Sequence, residues 1–191
     1  MTFQVDHYDG LFYRQTLFDQ AKIVVLKVGS AILTGQNGLN LEFIDTLSRQ
    51  IAFLRATGRE VILVSSGAVA AGQQRLGVQR QPGEALKVKQ ALASVGQGLL
   101  MQAYEQRFAA KNNQQVAQIL LTHTDLSQRD RYLNVRNTIL TLFEFGVVPI
   151  INENDTVSVH ELRFGDNDTL GALITNMIGA DMYIMLTDVD G

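Results

Sequence analysis

The sequence predicts an α/β fold: a three-layer α/β/α sandwich on a mainly parallel sheet, incomplete at its C-terminus. Five short runs rich in aliphatic and β-branched residues read as strands buried on both faces. Longer runs with apolar residues at helical spacing separate them. Strand and helix therefore alternate, and right-handed crossovers between parallel strands cover both faces of a sheet with helices.

Residues 1–20 form an N-terminal extension in which Leu11, Phe12, Leu17 and Phe18 stand among polar neighbours. They suit a short amphipathic arm, read as a surface helix, with a dimer contact or a frayed end as alternatives. Residues 21–191 make up one partial domain. Its first strand runs from Lys22 to Val28, and Leu41, Ile44, Leu47, Ile51 and Leu54 mark the helix that follows. The second strand runs from Glu60 to Val64, and Leu92, Val95, Leu99, Tyr104 and Phe108 mark a second helix. Strands from Val116 to Leu121 and from Val147 to Ile151 flank a helix carrying Ile139, Leu142 and Phe143. A helix starting at Thr169, capped by Asp168 and carrying Leu173, Ile174, Met177 and Ile178, leads to a last strand from Met182 to Leu186. No helix returns to cover that strand, so we expect the chain to be truncated there.

Composition narrows the function. At 191 residues, 46% hydrophobic and 18% charged, the chain can build its core without a disulfide or structural metal. It has no cysteine, which removes thiolate nucleophiles, thiolate zinc sites and redox pairs, and suits a reducing cytoplasm. With 16 Lys and Arg against 19 Asp and Glu, no basic face is available for nucleic acid, so a small-molecule partner is expected. No apolar run approaches the roughly 18 residues of a membrane helix, and the first ten residues are acidic where a signal peptide is basic. The expectation is a soluble, cytoplasmic protein, assembled as a homo-oligomer.

In open parallel sheets ligands bind beyond the carboxyl ends of the strands, and the polar residues of this chain gather there. Lys27 and Gly29, at the first strand exit, offer a mobile positive charge beside backbone that a bulky anion can approach, which suits phosphoryl transfer. A lysine there also serves as a plain surface residue. The usual nucleotide loop G-x-x-x-x-G-K-[ST] and the dinucleotide motif G-x-G-x-x-G are both absent. Ser65-Ser66-Gly67-Ala68 lacks the first glycine of a nucleophile elbow. It reads as a small-residue turn into a helix, able to hold a carboxylate or phosphate, or simply to cap that helix. In Asn152-Glu153-Asn154-Asp155, amide donors can meet an α-carboxylate and Asp155 an α-ammonium, or the segment is a turn. Asp166 and Asp168 flank Asn167; Leu170 and Met177 fall where a calcium loop needs carboxylates, so the two acids would orient the lysine or hold Mg²⁺ through water. Thr187-Asp188-Val189-Asp190-Gly191 suits either nucleotide phosphates and ribose or a turn, and His7, His123 and His160 lack metal-ligand spacing.

Taken together, VLKVGSAILT, VSSGAVAAG, ASVGQ, QILLT, RYLNVRNT, VVPIINENDTV, RFGDND and ADMYIMLTDVDG resemble the amino-acid kinase family over roughly Lys22 to Gly191. INENDTV followed by RFGDND resembles those members that use ATP and Mg²⁺ to phosphorylate the γ-carboxylate of L-glutamate, giving L-glutamyl 5-phosphate in the first step of proline biosynthesis. The resemblance implies roles at matching positions. Lys27 would neutralise the transferring phosphoryl group, and Gly29 would let backbone approach it. Ser66, Asp155 and Asn167 would bind glutamate, Asp168 would orient catalytic lysines, and Thr187 and Asp188 would contact the nucleotide. Family members continue past the TDVDG strand with a second catalytic lysine and most adenine contacts, so little or no activity is expected of this chain alone. The alternatives are a sibling kinase acting on N-acetylglutamate or aspartate, and a non-catalytic amino-acid-binding regulatory module.

Overall fold

A computed structural model describes residues 7–35, 38–78, 85–111, 113–158 and 167–188. An N-terminal helix α1 (His7–Gln20) leads into β1 (Ile23–Val28), a short helix α2 (Ser30–Leu33), and a small antiparallel hairpin of β2 (Thr34–Gly35) and β3 (Gly38–Leu39). There follow α3 (Leu41–Ala56), β4 (Glu60–Ser65), α4 (Ala68–Leu76), α5 (Leu86–Ala109) and β5 (Val116–Leu121). The rest comprises α6 (His123–Ser127), α7 (Arg129–Glu144), β6 (Val148–Glu153), α8 (Asn167–Ile178) and β7 (Met182–Leu186). The main sheet has five strands in the order β5-β6-β4-β1-β7, and every pairing in it is parallel. No helix among the described residues is long and apolar enough to cross a membrane.

Side-chain alternation along the strands divides the core in two, because successive residues of a strand face opposite sides of the sheet. Val24, Leu26 and Val28 of β1, Val61 and Leu63 of β4, and Val148 and Ile150 of β6 pack against Ile44, Leu47 and Ile51 of α3 and Leu100, Tyr104 and Phe108 of α5. Val25, Ile62, Val64 and Ile151 face the other way, onto Ile139 of α7 and Leu170, Ile174 and Met177 of α8. These two helical layers and the sheet make the α/β/α sandwich. The side chain of Asn40 caps α3 by accepting from the Phe43 N–H at 3.0 Å.

Three details differ from the sequence reading. The core stripe of α5 is Leu92, Gly96, Leu100, Tyr104 and Phe108, while Val95 is exposed. Glycine holds the central position because α4 crosses there with backbone against backbone. A Cβ on Gly96 would stand 1.7 Å from the Ala68 carbonyl oxygen, and one on Gly72 would stand 2.0 Å from that of Leu92. β6 extends to Glu153, because Asn152 and Glu153 stay in register with Leu120 and Leu121 of β5. α8 starts at Asn167, so Asp168 lies within its first turn and is not its cap. The N-terminal arm is a surface helix, α1, on which Leu11, Phe12 and Leu17 are exposed. Arg59 tethers its end, donating to the Phe18 carbonyl at 3.1 Å with its guanidinium over the Phe18 ring.

Candidate functional site

Where neighbouring parallel strands send their following helices to opposite faces, their loops part and leave a crevice. β4 continues into α4 and α5 on one face, and its neighbour β6 continues into α8 on the other. A cavity of about 330 Å³ occupies this switch point, walled by Ser66 to Ala70, by Asn152, Glu153 and Asp155, and by Ser30, Gln73, Lys89 and Asn167. Its volume falls in the range of small-molecule sites.

Each wall follows from local chain geometry. Gly67, at φ 99°, turns the chain from β4 into α4 in a backbone conformation that favours glycine. That turn aims the first N–H groups of α4, which have no partners within the helix, at the cavity. Below it, Ser65 exchanges a buried hydrogen bond of 2.8 Å with Tyr104 of α5. Burial pushes the Tyr104 hydroxyl above its ordinary range, so it stays neutral. Asn167, leading α8, reaches back and donates to the Ser65 carbonyl at 3.0 Å, to Ser66 Oγ at 2.8 Å and to Asn152 Oδ1 at 3.0 Å. Asn152 in turn donates to Gln97 of α5 at 2.9 Å. Glu153 is buried and accepts from Ser158 Oγ at 2.8 Å. Asp155 Oδ1 forms an ion pair with Lys89 Nζ at 2.7 Å.

Lys27 lies one step beyond this cavity. Alternation along β1 turns it toward the α8 face, where its ammonium pairs with Asp168 Oδ1, next in sequence to Asn167. The hydroxyl of Tyr183 in β7 donates to the Asp168 carbonyl at 2.9 Å, which ties the first turn of α8 to the sheet. Gly29 stands next to the lysine: a Cβ there would come within 3.7 Å of Lys27 Nζ, in the space that an anion approaching the ammonium would use. The Gly29 N–H donates to the Leu186 carbonyl at 3.4 Å, so the β1 tip adjoins the end of β7 and the exposed Thr187 and Asp188 that follow it.

Ser66, Asn167 and Asp155 thus share one cavity, with Lys27, Asp168 and Gly29 adjoining it and Thr187 and Asp188 outside it beyond Gly29. Asp166, His160, Asp190 and Gly191 lie outside the described residues. Asn154 leaves the group: it lines a separate cavity of about 600 Å³ with Thr122, His123, Asp125 and Arg131 at the β5 exit. That larger space is less suited to chemistry, because its charged groups are already engaged. Asp125, inside the first turn of α6, completes a capping box with the N-cap Thr122 by accepting from its N–H at 2.8 Å and its hydroxyl at 2.6 Å, and it pairs with Arg131 at 2.9 Å. Sequence reasoning missed Lys89 and Gln97, whose partners are 66 and 55 residues away. Gln97 ends the ASVGQ string, and its place behind Gly96 on α5 is the one signal that pointed to it.

No group of three or more His, Asp or Glu among the described residues could hold a metal ion. Mg²⁺ commonly binds through one or two carboxylates, water and substrate phosphates. Asp168, the carboxylate nearest the expected phosphate path, is committed to Lys27, so these residues do not form a magnesium site on their own.

The fold agrees with the known proteins this chain resembles. Residues 22–191 match the model of the amino acid kinase family. The chain is 62% identical over 177 residues to a glutamate 5-kinase of Desulfotalea psychrophila, covering 93% of this chain and 47% of that protein. It is 52% identical to a glutamate 5-kinase of Geobacter metallireducens, over 93% of this chain and 48% of that protein. Against one from Azoarcus sp. the identity is 56%, over 90% and 46% respectively. The chain therefore spans about half the length of the curated relatives it matches. Its parallel sandwich, the lysine at the tip of β1 and a family match that runs from the start of β1 through β7 make this chain a member of the amino acid kinase family.

Proposed function

We propose that the chain carries the amino-acid site and the first phosphate-binding elements of an enzyme that transfers the γ-phosphoryl group of ATP to the γ-carboxylate of L-glutamate, as the names of its relatives suggest. The observation that carries this reading is that Asp155, Asn152, Asn167 and Ser66 wall one amino-acid-sized cavity, next to Asp168 and its partner Lys27, a lysine suited to a phosphoryl group.

In this reading Asp155 receives the α-ammonium. Ser66, held in place by Asn167, and the N–H groups of α4 steer the side-chain carboxylate toward Lys27 and Gly29. A carboxylate is already ionised and nucleophilic at neutral pH, so no general base is needed. One of its oxygens bonds to the γ-phosphorus of ATP while the bond from that phosphorus to the β–γ bridging oxygen breaks, and ADP leaves with that oxygen. The obstacle is repulsion between two anions, which the Lys27 ammonium and oriented N–H groups offset. Asp168 holds Lys27 in place. Thr187 and Asp188, beyond Gly29, lie on the nucleotide side. Mg²⁺ would enter with the ATP phosphates and neutralise part of their charge.

Two measurements test the proposal. Calorimetry on the chain should show binding of L-glutamate and much weaker binding of N-acetyl-L-glutamate, which has no ammonium for Asp155. A chimera joining this chain to the C-terminal half of the Desulfotalea psychrophila relative should form glutamyl hydroxamate from L-glutamate, ATP and hydroxylamine. A folded chimera with no ATP-dependent product would sink the proposal.

A further inference from the structure

The cavity contains a charged pair that the motifs did not indicate. Lys89, near the start of α5, and Asp155, just after β6, both line it, and their charged atoms lie 2.7 Å apart. Both side chains are largely buried, at 22% and 12% exposed. The sequence reading let the amides of the Asn152–Asp155 segment meet the substrate's α-carboxylate, but in the structure the asparagines near the cavity are engaged with protein groups or turned away from it. Asn167 donates to Ser65, Ser66 and Asn152, Asn152 donates to Gln97, and Asn154 faces the other cavity.

We propose that Lys89 recognises the α-carboxylate of the substrate, giving up Asp155 as Asp155 takes the α-ammonium. This inference rests on the amino-acid reading of the same site. An α-amino acid carries its ammonium and carboxylate on a single carbon, so a protein that reads both needs a carboxylate and an ammonium side by side. Lys89 and Asp155 supply that arrangement. Paired at the cavity wall, the two neutralise each other, so neither charge is buried unpaired, a condition that carries a heavy penalty. When the substrate enters, each side chain exchanges one opposite charge for another, so the two α-groups leave the charge balance at this end of the cavity unchanged. Specificity follows: a ligand lacking either α-group breaks the pair and leaves one of its charges unmatched.

The test compares L-glutamate with 4-aminobutyrate, which is glutamate without its α-carboxylate, by calorimetry on the chain and its Lys89→Met variant. The variant should bind L-glutamate at least about 10-fold more weakly, as expected for loss of a charge-assisted hydrogen bond. Its affinity for 4-aminobutyrate should be unchanged or higher, because Asp155 is freed from a competing ammonium. Lys89→Gln, which keeps most of the stem and a donor but no charge, should repeat the pattern even if the methionine variant folds poorly, and Lys89→Arg should recover part of the glutamate affinity. A lysine that only braces the structure would lower both affinities together, and that result overturns the inference. Unchanged glutamate affinity also overturns it and assigns the α-carboxylate to the N–H groups of α4. Failure of the unaltered chain to bind L-glutamate overturns the amino-acid reading itself, and this inference with it.

Discussion

Asp155 lines the cavity and Lys27 adjoins it beside Asp168, and their charges should act at different stages. Lys27 meets charge that shifts during transfer, so its loss falls mainly on the transition state. In the chimera, Lys27→Ala should lower kcat by at least about 100-fold with little change in the KM for glutamate. Asp155 meets an ammonium that is the same in substrate and transition state, so Asp155→Ala should mainly raise the glutamate KM. Steady-state kinetics on the two variants separate these effects, and the reverse pattern would mean the two ends of the site are exchanged. Both residues could be singled out in the sequence because each lies where an apolar strand run gives way to small and polar residues. Lys89 could not, because nothing around position 89 indicates that α5 will bring it to a loop 66 residues away.

Among the elements, the crossing of α4 and α5 sets the shape of the cavity. The α4 N-terminus can face Ser66 and Asn167 only if α5 passes close beneath it, and Gly72 and Gly96 leave room for that. Gly96→Ala would place a methyl group 1.7 Å from the Ala68 carbonyl oxygen, and rigid backbone cannot yield locally to that contact. The helices must separate, at a cost of at least about 2 kcal/mol, typical of overpacking in a dense core. Urea unfolding should show this loss, and calorimetry should show weaker glutamate binding because the first turn of α4 shifts. Full stability in Gly96→Ala would mean the two helices are not held this tightly. The periodicity of large apolar residues missed this face because its central contact is made by a residue without a side chain.

Across the entire sheet, stability at low pH should depend on carboxylates that tie loops to strands. The N–H groups of Ile23 and Lys22, each 2.8 Å from Asp181 Oδ2, hold its carboxyl below the usual range and join the start of β1 to the turn before β7. At Asp125 burial raises the carboxyl, but hydrogen bonds from Thr122 and Arg131 outweigh it and bring it below the usual range. A carboxyl depressed in the folded state adds stability that is fully present above its unfolded pKa of about 3.9 and is lost as pH falls through the folded value. Unfolding free energy should therefore decline as pH drops below about 4, and less steeply in Asp181→Asn, whose amide oxygen accepts the same bonds without titrating. Urea titrations at several pH values check this, and equal slopes in the two proteins would remove Asp181 from the account.

Local chemistry was enough to establish the α/β class, the five strands and their polar exits, because strand runs, helical spacing and small-residue turns are properties of neighbouring residues. The Lys89–Asp155 pair, the occupied asparagine amides, the strand order that opens the crevice between β4 and β6, and the glycine contact between α4 and α5 came from folding alone. Each of these depends on which distant segments the sheet brings together, and one-dimensional periodicity carries no measure of that distance.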